Sequence, residues 1–132
     1  MTCVSTALRV GAAIAVTTTA ACASNGYHYS QIDGQRYHRV PIDTYPLSIT
    51  EIDGKSTPWF KPTLVEPGTR QVTVQAPPGA AASFGDTRTI ALEVAPCTKY
   101  YLVAVKSSPL ANDFTVRVDH QEPVAGCTAP RS

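Results

Sequence analysis

The feature that most constrains this chain is its punctuation. Between residues 49 and 74, short apolar runs are cut by Asp53-Gly54, Pro58, Pro62 and Pro67-Gly68. Eleven prolines and eight glycines in 132 residues leave little unbroken chain for helices. An interior proline removes a helical hydrogen bond and clashes with the preceding turn. Asp-Gly supplies the positive φ of a tight hairpin turn. Pro67 presets φ for one turn position and Gly68 frees the next. Where the chain runs unbroken, it alternates. Val72 and Val74 alternate with Gln71, Thr73 and Gln75, and Ile90, Leu92 and Val94 share one face of residues 87–95. A period of two places one set of side chains on a buried face of a strand.

Further strands are predicted over residues 47–52 and 63–65. Residues 99–106, KYYLVAVK, are apolar on both faces and fit a central strand. After a turn at 107–112, Phe114, Val116 and Val118 form the apolar face of a closing strand. The expected fold is all-β, a small antiparallel β-sandwich. Length allows one domain. A hydrophobic content of 43% against 16% charge supports a packed core and argues against global disorder.

Residues 1–21 read as a helical export signal that is cleaved, of lipoprotein type. Arg9 is the only charge before residue 22, and residues 10–16 form an apolar core too short to span a bilayer. Thr19-Ala20-Ala21-Cys22 follows, with small residues leading into a cysteine. It resembles the lipobox of bacterial lipoproteins, with Thr19 where leucine is preferred. The resemblance implies acylation of Cys22, which becomes the new N-terminus. Ala23 lacks the aspartate associated with inner-membrane retention, so the outer membrane, facing the periplasm, is the expected location. The competing reading is ordinary cleavage after Ala23, giving a secreted or periplasmic protein. Two or more acyl chains anchor a protein stably where one does not. Removing Arg9 leaves 11 − 1 = 10 basic against 10 acidic residues. Such balance leaves no broad electrostatic footprint for nucleic acid or anionic lipid.

Residues 22–45 read as a tether followed by a hairpin over 27–40 that turns at Asp33-Gly34. Tyr29 would then oppose His38, and His28 would oppose Arg39. The two histidines would face opposite ways, which argues against a shared metal site. The sandwich is expected over 46–122 and an irregular tail over 123–132. Pro58 and Pro62 bracket Trp59-Phe60, so that piece is an edge or a loop. One of the two aromatics points into the core. The other is covered by a loop or forms a contact surface. Residues 76–86, APPGAAASFGD, form a long loop.

The order Ile52-Asp53-Gly54, then Glu66-Pro67-Gly68, then Val72-Thr73-Val74, then a strand over 89–94 resembles the PEGA and carboxypeptidase-regulatory-like β-sandwiches, a transthyretin-like architecture. The pattern covers about residues 46–105. The family's Pro-Glu-Gly-Ala order is absent. The resemblance implies a non-enzymatic accessory or interaction module of the cell envelope and transfers no binding residues.

Cys97 and Cys127 are the two cysteines left once the leader is cut and Cys22 is acylated or removed. An exported domain meets an oxidising compartment, where thiol pairs do not persist. A hairpin pairing Lys106 with Asp113 sets Cys97 opposite Glu122, within reach of Cys127. A disulfide is expected. No Gly-x-Ser-x-Gly elbow, phosphate-cradling loop, CxxC, HExxH or paired-carboxylate motif occurs. The chain is therefore expected to be no enzyme, with no cofactor and no metal. Two functions remain open at this stage. One is a lipid-anchored structural or protein-interaction module with an envelope partner. The other is a secreted or periplasmic module binding sugar or peptide through Trp59 or Phe60 beside the 76–86 loop.

Overall fold

The computed structural model describes residues 28–35, 41–58, 61–80 and 83–129. Among these residues, nine strands form two sheets. The first contains β1 (Ser30–Asp33), β2 (Thr44–Pro46), β5 (Thr63–Val65), β8 (Thr98–Val105) and β9 (Thr115–Pro123). The second runs β4 (Lys55–Ser56), β3 (Ser48–Ile52), β6 (Gly68–Gln75), β7 (Thr87–Val94). The small all-β sandwich is thus what the alternation predicted. Every strand pair is antiparallel except β1 with β8.

The second sheet follows directly from its turns. Asp53 and Gly54 both take positive φ, 51° and 77°, and fold β3 onto β4. Such a pair matches the twist of the flanking strands. Gly68 opens β6 at φ 115°, a conformation side chains disfavour. β6 and β7 then pair without interruption from Gly68–Val94 to Gln75–Thr87.

The first sheet is built on β8. β9 runs along one edge of it, and β1 and β2 lie end to end along the other, since they pair with residues 99–101 and 103–105 respectively. Both faces of β8 are buried, as its sequence predicted. Tyr100, Leu102 and Ala104 join Ile32, Val65, Val72, Val74, Leu92, Val94 and Phe114 in the core between the sheets. Each fully buried aliphatic side chain there contributes roughly 1.5–3 kcal/mol relative to exposure.

Three expectations are corrected. Asp33-Gly34 is not a hairpin turn. Gln31 already pairs with Leu64 on one side and Lys99 on the other, so β1 has no free edge for the chain that follows it. Instead Gly34 O accepts a bond from Leu47 N at 3.0 Å. His38 and Arg39 fall outside the described residues. Second, because β1 and β2 belong to the sheet, the sandwich begins before residue 46, and β9 carries it to Pro123. Third, the β8–β9 register differs from the expected one. Val105 opposes Thr115, and a shift between Tyr101 and Leu102 moves Lys99 opposite Glu122. The extra residue is Asp119, which stands unpaired between His120 and Val118 in that register.

Candidate functional site

At one end of the sandwich β1 begins. The turn from β7 to β8 reaches Cys97, held in the left-handed region at φ 52°. Val124 N donates to Cys97 O at 2.8 Å, which turns the chain after β9 back toward it. The Cys97–Cys127 disulfide forms there, with Cα atoms 5.5 Å apart. Cys127 Sγ lies 3.6 Å from Tyr29 O, so the staple packs where the N-terminal segment enters the sheet. Ser30 completes the arrangement. Its hydroxyl donates to Ala95 O and accepts from Thr98 N at 3.1 Å.

Among the described residues, a group of titratable side chains shares the outer face of the first sheet. Pairing places Tyr101 between Asp33 and His120, and Lys99 beside Glu122. Lys99 Nζ lies 3.2 Å from Asp33 Oδ2 and 4.6 Å from the Tyr101 ring centroid. Tyr101 Oη donates to Glu122 Oε1 at 2.7 Å. Burial alone would lower the Lys99 pKa, but hydrogen bonds to Tyr101 and Asp33 outweigh it and hold the ammonium above its usual range. Burial, aided by Glu122, pushes the Tyr101 phenol up despite Lys99 beside it. These groups satisfy one another across β1, β8 and β9. Their chemistry is that of a stitch between strands, and it fixes the parallel β1–β8 register. Sequence reasoning missed it because its members come from three separated segments; the only local signal was the i, i+2 spacing of Lys99 with Tyr101 and of His120 with Glu122.

The opposite end gathers three loops. Residues 41–43, 77–80 with 83–86, and 106–113 are tied together by Lys106. Its backbone N–H donates to Asp43 O at 3.0 Å, and its ammonium donates to Pro77 O. Lys106 is only 2% exposed, and its Nζ sits 5.6 Å from the Tyr45 ring centroid. Ala80 N donates to Leu110 O at 3.3 Å and closes the cluster. From these loops three large apolar side chains enter solvent: Ile42 at 98% exposure, Phe84 at 80% and Leu110 at 68%. A groove of about 470 Å³ runs beneath Phe84, lined by Pro46, Leu47, Ala76, Pro77 and Pro78. A second of about 440 Å³ lies between Ile42, Tyr45 and Pro109.

Of the residues singled out from sequence, Cys97 and Cys127 are brought together. Cys22, Trp59 and Phe60 lie outside the described residues. The 76–86 loop contributes to the exposed apolar end, while Ile42 and Leu110 gave no sequence signal beyond being apolar. Among the described residues, no group of three His, Cys, Asp or Glu side chains is placed to hold a metal ion. The fold and this geometry define a disulfide-stapled β-sandwich. No family model, curated protein or solved structure matches the chain.

Proposed function

We propose that this chain is a lipoprotein of the cell envelope, acylated at Cys22 and facing the periplasm from the outer membrane. Its PEGA-like β-sandwich serves as a non-enzymatic protein-interaction module. The contact surface is the loop end that carries Ile42, Phe84 and Leu110. The observation that carries this reading is that these three side chains stand in solvent on loops bonded into one unit. Exposed apolar side chains gathered in one patch mark an interaction site, whereas scattered ones do not. The unit lies at the end away from β1's start, so a tether from Cys22 would present it outward from the membrane. The leader's small residues before Cys22 and the disulfide both fit an exported domain.

A second reading has one observation in its favour. The groove under Phe84 is large enough for a peptide or sugar residue, which suits a periplasmic ligand-binding module.

Two experiments test the proposal. Cys22→Ser should move the protein from membrane to soluble fraction, and unchanged membrane association refutes the anchor. A photo-reactive residue at position 84 should yield one discrete protein adduct in intact cells, while the same residue at position 71, on the sheet face, should not. Equal labelling from both positions refutes the loop end as the contact surface.

A further inference from the structure

Among the described residues the first sheet has edges at β9, β2 and β5 and the second at β4 and β7, and exposed strand edges invite pairing unless something blocks them. Four of these five edges are guarded. β2 and β5 span three residues each, β2 ending on Pro46, and β4 spans two. β9 is long, but Asp119 bulges from it and it stops at Pro123. β7 ends the second sheet with eight residues, TRTIALEV, in one unbroken register. It contains no proline, no lysine and no bulge.

The two charges of β7 are held on its own domain. Arg88 bonds Asp113 at 2.7 Å and lies 5.4 Å from the Phe114 ring centroid. Glu93 accepts a bond from the Thr69 hydroxyl across the β6–β7 ladder. The middle of the edge, Thr89, Ile90 and Ala91, is uncharged, and Thr89 and Ala91 are exposed. Nothing among the described residues pairs with its outer side.

We propose that β7 pairs antiparallel with β7 of a second copy of this chain, joining two four-stranded sheets into one continuous sheet. A two-fold axis normal to the sheet keeps each face on its own side. Opposed residues must then share a face, so the axis falls on a residue and not between two. Centred on Ile90, the pairing sets Thr89 opposite Ala91 and Arg88 opposite Leu92. Centred on Ala91, it sets Ile90 opposite Leu92 and Thr89 opposite Glu93. In neither register do like charges meet. The same surface thus complements itself, as a two-fold interface requires.

The test is sedimentation equilibrium of the full lipid-bearing chain in density-matched detergent. Wild type should show a concentration-dependent dimer. The triple variant Thr89→Lys, Ala91→Lys, Glu93→Gln sets lysines against each other in both registers, with no carboxylate at position 93 to offset them, and should be monomeric. So should Thr89→Glu, Ala91→Glu, Glu93→Gln. Mixing the two variants should restore the dimer, because either register now pairs Lys with Glu. This mixture also guards against misfolding, since a misfolded variant would not be rescued by its opposite. Wild type that stays monomeric overturns the proposal. So does a dimer that survives either triple variant, or a mixture that stays monomeric. None of these outcomes bears on Cys22 or on the loop end.

Discussion

Asp33-Gly34 and Asp53-Gly54 are the same dipeptide, each at the end of a short strand, and they do opposite things. Asp53-Gly54 is a turn with positive φ at both residues, and a Cβ at Gly54 would meet open space. Asp33-Gly34 is part of the packed interior. A Cβ at Gly34 would lie 2.0 Å from Leu47 O. The Asp53 carboxylate accepts from Gln71 N at 2.9 Å and from Arg70 at 3.1 Å, and it braces the turn. The Asp33 carboxylate turns to Lys99 on the neighbouring strand. The difference lies in what flanks each strand. β3 has β4 to turn into, whereas both edges of β1 are taken by β5 and β8. A turn motif is thus a local preference that long-range pairing overrides.

The comparison can be broken at four points. Gly34→Ala should cost most, about 3 kcal/mol, because backbone atoms must move to clear the new methyl group. Chemical denaturation measures this, and a near-neutral result would show that Gly34 is not packed against Leu47. Asp33→Ala comes next. It leaves the half-buried Lys99 ammonium without its carboxylate, and a loss of about 2 kcal/mol is expected, in the range for hydrogen bonds to charged groups. Gly54→Ala should cost about 1 kcal/mol through backbone strain alone. A larger loss there than at Gly34 would invert the comparison.

The smallest effect is a pH dependence with a limb for each dipeptide. The Gln71 N–H and then Arg70 hold the Asp53 pKa below its usual 3.8. An Asp with a lowered folded pKa adds stability above its unfolded pKa and loses it as pH falls through the folded one. The acid limb therefore lies below about pH 4, and Asp53→Asn should flatten it. Lys99 is held above its usual 10.5 despite burial, by Tyr101 and Asp33. Its contribution is complete below that value and lost as pH rises through the higher folded pKa. Asp33→Asn should weaken this alkaline limb. Thermal melts across the two limits give both.

The same contrast explains what could be read in the sequence. β6 and β7 were legible because their burial is written in each strand's own alternation, and β8 because it is apolar on both faces. The Cys97–Cys127 pair was legible by elimination, even though the β8–β9 register used to reach it was off. The turn already offsets the pairing by one residue, with Val105 opposite Thr115 and not Phe114, and the bulge at Asp119 adds a second; nothing in the DHQ stretch announces an extra residue. The parallel partner of β1 was illegible, because it is set by contacts 68 residues away, as between Gln31 and Lys99. In the loop end, only the 76–86 loop stood out. Ile42 and Leu110 join it through Lys106, an ordinary lysine in the sequence that folding buries.

The intact mass of the protein extracted from membranes, before and after reduction, tests the central claim most directly. The account predicts a chain beginning at Cys22 that carries acyl groups and gains two hydrogen masses when Cys97–Cys127 is reduced. A chain beginning at Ser24 without lipid, or a mass indifferent to reductant, would contradict it.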